Sequence, residues 1–386
     1  MAELKHFENS MYELVKDVKF KHNVSNTLQN TLKHNMNEMK KEKRLYVAAD
    51  KTNNFYKLSN EKYQEMMTQN ITKEYKKCDD KVVDKVNKED KGIAENLELD
   101  DRIYAFSERD AFITIKDHKE NFPNHPKCRL INPAKSELGK VAKKILSRVV
   151  TSLRKMTKLN QWKNSFSVID WFKQLENKRN LSFLVFDIVE FYPNITEDLL
   201  KRALNYAKRH TDISKEEIEI ILQTKKAFLF SDGKPWIKKG RKQFDVTMGS
   251  WDGAELADLV GLYLLSQLAD LNLEIGLYRD DGLGACNLPP RQAELEKKKL
   301  CKIFSENGLN VTAEANLKTV NFLDINLNLE TELYKPYMKA NNTPTYVHKE
   351  SNHPEAILKN IPQSVNRRLS SISSNEQVFD QTKHPC

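Results

Sequence analysis

A chain of 386 residues with 39% hydrophobic side chains is long enough to bury a sizeable core, and its 11 glycines are too few for a wholly disordered polymer. It carries 63 Lys and Arg against 54 Asp and Glu, a formal charge of +9, and the stretch 108–160 alone holds 13 basic and 5 acidic residues, or +8. That concentration points to a phosphate-facing surface, with a solvated lysine-rich surface as the alternative.

Residues 1–100 read as helical and lysine-rich, broken by a short extended pair at 44–49 and 55–58 around the turn residues Asp50 to Asn54. Nothing in this part suggests chemistry. Residues 111–115 are β-branched and aromatic, and after a loop with Pro123 and Pro126 comes Arg129-Leu-Ile131, so a hairpin is predicted with Lys116, His118, Lys119 and Arg129 near its ends. A basic helix is predicted over about 138–158, then an apolar strand over 181–186 that ends at Asp187. Thr196 with Glu197 and Asp198 marks a helix start, and Ser214 with Glu217 forms a capping box for the next helix. Segments 228–230 and 236–238 flank Asp232-Gly233 as a hairpin, followed by a helix over about 253–271. A hairpin over 273–285, a helix from Pro290 to Gly308, and a further hairpin over 321–327 and 333–337 come next. From His353 onward the pattern is helical, with Ser351 or Asn352 as the cap. This alternation, without regular β-α-β repeats, predicts an α+β fold with helices backing an antiparallel sheet.

Asp280 and Asp281 lie between Tyr278-Arg279 and Gly282-Leu283-Gly284-Ala285, which places both carboxylates at a hairpin tip. Adjacent like charges are relieved by a divalent cation, because carboxylate oxygens are the ligands Mg²⁺ prefers and the ion keeps positions open for substrate phosphates. Asp187 adds a third carboxylate, and three at two strand ends suggest a two-metal phosphoryl-transfer centre. The competing reading is an ordinary turn at Asp281-Gly282.

Phe186-Asp-Ile-Val-Glu-Phe-Tyr-Pro193 and Tyr278-Arg-Asp-Asp281 resemble two signature motifs of reverse transcriptases. Phe112-Ile-Thr-Ile-Lys-Asp-His-Lys119 with Cys128-Arg-Leu-Ile-Asn-Pro133 is similar to the fingers motifs of that family, and Thr247-Met-Gly-Ser250 to its next palm motif. Phe322-Leu-Asp-Ile-Asn-Leu327, with Tyr334-Lys-Pro-Tyr337 and Asn352-His-Pro354 after it, resembles the primer-grip hairpin and thumb of Penelope-like retroelements. Each piece is weak alone; their order over about 110–375 carries the resemblance.

The resemblance implies a right-hand polymerase fold, with an antiparallel palm sheet backed by helices. It places a helical basic N-terminal extension at 1–100, fingers at 101–180, palm at 181–330 with room for a fingers insertion at about 196–245, and an incomplete thumb-like region at 331–386. The implied activity is that of an RNA-directed DNA polymerase of a mobile element, adding dNTP to a primer 3′-hydroxyl on an RNA or DNA template. Two Mg²⁺ ions, for which Mn²⁺ can substitute, would sit on Asp187 and Asp280 with Asp281 in support and the backbone carbonyl of Ile188 as a further ligand. Tyr192 would lie under the nucleotide sugar and collide with a 2′-hydroxyl; a core aromatic beside Phe191 is the alternative. Arg129 would grip the triphosphate with its fork of donors, with Lys116 and Lys119 as partners that could equally face water. His118 could contact phosphate or template. Gly249 would present bare backbone to template and nucleotide. Phe322, Leu323 and Asp324 would form the primer grip.

Relatives often carry Ser-Pro shortly after this glycine, whereas here the chain reads Trp251-Asp252-Gly253. Asp252 either caps the following helix or sets a negative charge that opposes phosphate binding unless it is paired. After residue 375 little chain remains for a GIY-YIG endonuclease or an RNase H domain, so copying without target nicking is expected if the chain is whole, and a truncated open reading frame would look the same. The competing class is a non-catalytic descendant that binds RNA or DNA; a metal-dependent nuclease lacks the additional acid or histidine set it needs. Cys78, Cys128, Cys286, Cys301 and Cys386 are scattered with no Cys-x-x-Cys pair, which suits a reducing compartment. The opening residues lack the apolar core of a signal peptide and Asp258 interrupts the most apolar helix, so an intracellular chain, nuclear or cytoplasmic and not membrane-bound, is expected.

Overall fold

A computed structural model describes residues 2–16, 27–42, 44–98, 109–117, 122, 124, 126–133, 137–241, 243–338 and 345–382. The chain divides into two compact units, one of Met1–Arg44 with Thr345–Ile361 and one of Leu45–Pro344 with Pro362–Cys386. The first contains the helices Ala2–Lys16 and Thr27–Lys41, with Leu4, Phe7, Met11, Leu32 and Met36 exposed. Among the described residues no helix is long and apolar enough to cross a membrane.

The larger unit is built on a five-stranded sheet in the order Val311–Leu317, Ser182–Ile188, Asp281–Cys286, Glu274–Tyr278, Asn160–Gln161. All neighbours are antiparallel except the last pair, which is parallel. The central strand Ser182–Ile188 is apolar on both faces because both are covered. Alternation along a strand sends Leu184, Phe186 and Ile188 to one side, where they join a core with the helices Leu138–Thr157, Glu197–His210 and Gly253–Gln267. Phe183 points the other way and packs with Trp162, Trp171, Phe172 and Phe322. The helix Gly253–Gln267 is apolar nearly all round, since Leu256, Leu259, Val260, Leu262 and Leu264 are each fully buried, as a helix in the middle of a core must be.

Local signals are realised where they are strongest. Thr196 accepts a hydrogen bond from the Leu199 N–H, Ser214 and Glu217 form the reciprocal capping box, and Gly308 takes a φ of 74° just past the helix Pro290–Glu306. Three expectations need correction. The helix from Gly253 ends at Gln267, not near 271, where the Leu268 N–H bonds back to the Leu265 carbonyl in a tightened last turn. The last long helix is Glu355–Ser371 and begins after Pro354, so neither Ser351 nor Asn352 caps it; the Asn352 side chain instead accepts from Gln29. The N-terminal extension is separate only to Arg44, because from Leu45 the chain is woven into the larger unit. There Ala49 bridges Ile115, and the strand Tyr75–Lys77 pairs with Lys234–Lys238, while Val47, Met66 and Ile71 share a core with Ile113 and Ile115. Pairings across 66 to 163 residues leave no trace in local periodicity.

Candidate active site

The strands Glu274–Tyr278 and Asp281–Cys286 close on the pair Tyr278 and Asp281, so the turn consists of Arg279 and Asp280. Arg279 takes a φ of 55°, uncommon for a residue with a Cβ. This excludes the alternative turn at Asp281-Gly282: Asp281 is a strand residue. Its partner on the other side is Asp187, and Thr312 lies opposite Asp187 on the next strand. The turn is tied down by the Ile188 N–H, which donates to the Asp280 carbonyl at 2.9 Å. The Ile188 side chain is buried in the helix-side core, leaving only its backbone for any other role.

Register is enforced by volume. Gly282 sits opposite Phe186, and a Cβ there would lie 2.0 Å from the Phe186 ring; a Cβ at Gly276 would lie 2.3 Å from the Trp162 ring. With that register Asp187 and Asp281 share one sheet face, and Asp187 is exposed while Asp280 and Asp281 are half-buried. A cleft of about 530 Å³ opens over this face, lined by Asp187, Asp281, Thr312, Glu314, Phe322 and Leu323 among others. The donors it offers are oxygen atoms, the set that suits Mg²⁺ or Mn²⁺ over softer ions. The side chains are not drawn into a ready-made cage: among the described residues no group of three or more His, Cys, Asp or Glu stands placed to hold an ion.

Of the residues expected at the primer grip, Phe322 and Leu323 meet the aspartates in this cleft, Phe322 stacking edge-on to Trp162 at 5.4 Å and Leu323 taking a left-handed φ of 54°. Asp324 faces elsewhere, accepting from the Ser165 hydroxyl and pairing with Arg368.

Arg129 and Lys116 line a separate, smaller cavity of about 140 Å³, together with Glu190, Thr247 and Met248. The chain from Asp187 to Glu190 connects the two cavities. Arg129 is ion-paired to Asp50 at 3.0 Å. Lys119 and His118 lie outside the described residues. At φ 116°, a Cβ on Gly249 would lie 2.7 Å from the Asn132 carbonyl, so this protein's own chain closely approaches its bare backbone.

Tyr192 is half-buried, edge-on to Phe191 at 6.0 Å and packed on the main core, so the aromatic-packing role is met whatever else the ring does. Burial raises its hydroxyl pKa, opposed by Arg279, which lies close to it and to Asp258 and Asp280. Asp252 does not cap its helix through its side chain; it is buried in an ion pair with Lys225.

One group at the smaller cavity gave no sequence signal. Asp245 is buried, accepts from the Tyr75 hydroxyl at 2.5 Å and lies 3.8 Å from Lys238. Burial raises its carboxyl pKa against the opposing pull of Lys238 and Tyr75. Its partners come from residues 75 and 238, so only the folded chain reveals it.

No protein-family model matches the chain, and no curated protein matches its sequence. Its fold is similar to that of apo telomerase from Candida tropicalis, with a TM-score of 0.55 at 12% identity over 76% of this chain and 56% of that one. It is similar also to telomerase from Candida albicans in complex with a TWJ fragment of telomeric RNA, with a TM-score of 0.57 at 10% identity over 93% and 64% of the two chains. The corresponding Candida tropicalis complex gives 0.54 at 12% identity over 87% and 58%. The chain thus spans 56% to 64% of these telomerase chains, and what the likeness shows is a polymerase-type α+β fold.

Proposed function

We propose that the protein is an RNA-directed DNA polymerase that extends a primer 3′-hydroxyl with dNTP on an RNA or DNA template. The observation that carries this reading is the pairing of Asp187 with Asp281 on an open sheet face, in one cleft with Phe322 and Leu323. A protein that only bound nucleic acid would gain nothing from crowding carboxylates where phosphates must come.

Asp187, Asp280 and the Ile188 carbonyl, with Asp281 in support, would hold two divalent cations that activate the primer hydroxyl and offset charge on the departing pyrophosphate. The chain's own residues do the rest. Leu323 offers apolar surface beside Asp187 on which the primer end rests, while Phe322 is buried in the core with Trp162. Arg129 and Lys116, on the fingers hairpin, bind the triphosphate, and Tyr192 excludes a sugar bearing a 2′-hydroxyl. Asp252 leaves the phosphates undisturbed, since Lys225 neutralises it in the interior.

The ordered motifs, with Phe322-Leu-Asp-Ile-Asn-Leu327 last, support a retroelement enzyme of the Penelope-like kind, acting inside the cell. Primer extension on RNA and DNA templates, in Mg²⁺ and in Mn²⁺, beside an Asp280→Asn variant, tests the reading. Extension by the parent and none by the variant is expected. No extension on either template, with salt-dependent nucleic-acid binding equal in both proteins, would establish a non-catalytic binder instead.

A further inference from the structure

The segment 45–98 carries no chemical signal in the sequence, yet it delivers a carboxylate to Arg129. Asp50 follows the strand Leu45–Ala48, and its N–H donates to the Ile115 carbonyl at 2.8 Å. Its side chain is 5% exposed, with Oδ1 3.0 Å from Arg129 Nη1. The turn that holds it is itself fixed: Thr52, Asn54 and Tyr56 all donate to one oxygen of Asp117, at 2.5, 3.0 and 2.9 Å. The Asp50 carboxylate therefore stands on a rigid base.

Arg129 is one-third exposed and reaches the smaller cavity beside Lys116. Among the described residues, Arg129 Nε and Asp50 Oδ2 are buried with no hydrogen-bond partner. A buried donor left unpaired costs about 1–3 kcal/mol. A guanidinium held at one nitrogen, one-third exposed and lining a cavity, has the form of a site for an oxyanion.

We propose that Asp50 is a positioning residue that holds the Arg129 guanidinium ready to donate to a phosphate oxygen of a nucleoside triphosphate. This rests on Arg129 as the triphosphate grip. The physical gain is preorganisation: a free arginine side chain loses rotamer freedom when it binds, and one already fixed by Asp50 loses less. Segment 45–98 thereby becomes part of the nucleotide site.

The test is calorimetric binding of dTTP and of inorganic tripolyphosphate to the full chain, without primer, so that the result does not depend on polymerisation. Asp50→Ala is expected to weaken binding about tenfold, a coupling typical of directly contacting side chains. Asp50→Glu, which keeps a carboxylate to pair with the guanidinium, should restore most of that loss, and Asp50→Ala should add nothing in an Arg129→Ala background. Undiminished affinity in Asp50→Ala would overturn the proposal. So would an equal loss with Arg129 already removed, which would make the effect one of general stability. Should Asp50→Ala not fold, Asp50→Ser carries the same expectation. A parent protein that cannot extend primers but keeps the Asp50–Arg129 coupling would sink the polymerase reading alone.

Discussion

Lys225 and Asp252 form an ion pair of 2.6 Å in the interior, each side chain 1% exposed, and the Thr224 hydroxyl adds a bond to the second carboxylate oxygen at 3.1 Å. The pair joins the segment after the helix Lys215–Gln223 to the start of the helix Gly253–Gln267. Removing one partner leaves a buried charge alone, at a cost of about 3–5 kcal/mol. Denaturant unfolding of Asp252→Ala should show a loss of that order. Lys225→Met combined with Asp252→Leu should lose much less than the two single changes summed; simple additivity would contradict a coupled pair.

Cation binding should be visible without catalysis. If Asp187 and Asp281 share an ion, Mn²⁺ at about 100 times its dissociation constant should stabilise the parent by about 2.7 kcal/mol. Thermal melting should show this shift in the parent and lose it in Asp187→Asn. An equal shift in both would place the ion elsewhere.

Tyr192 serves as core packing and, in the proposed reaction, as a sugar filter, and the two roles separate by experiment. Tyr192→Phe keeps the ring and should keep both packing and sugar choice. Tyr192→Ala should admit ribonucleotides and lose stability, by less than the roughly 3–5 kcal/mol of a fully buried aromatic because the ring is half-buried. Competition between dNTP and rNTP during extension reads the first effect; unchanged selectivity in Tyr192→Ala would leave the residue a packing group only.

Asp245 gives a signed pH dependence. Its carboxyl pKa is raised by burial, so the native state holds the proton more tightly than the unfolded chain. Its contribution is present at low pH and declines as pH rises from about 4, the value of an unfolded aspartate, through the raised native value. The stability of Asp245→Asn relative to the parent should therefore increase across that window. Unfolding both proteins at a series of pH values checks it, and a constant difference would show that Lys238 and Tyr75 fully offset the burial.

The sequence shows what local chemistry writes into it. Ser214 with Glu217, Gly308 and the turn at Asp232-Gly233 are each specified by neighbours a few residues away, and the structure places them as expected. The three aspartates are legible because each ends or follows an apolar run. Arg129's partner was not legible, since Asp50 lies 79 positions upstream in a stretch that reads only as a turn. Gly249 was legible as a glycine needed for close approach, but the approaching group, Asn132, belongs to a pairing of distant segments. Asp252 shows the same limit, because whether a charge is exposed or neutralised depends on Lys225, twenty-seven residues away and on another element.

Gly282 and Phe186 fit as a socket and a peg. Because the fit is a matter of shape, the spacing of Asp187 and Asp281 along their strands is insensitive to charge, to salt and to whether an ion is bound. Loops around the cleft can lengthen or drift without disturbing it. Sliding either strand by one residue would drive a side chain into the Phe186 ring, so the aspartates keep their alignment.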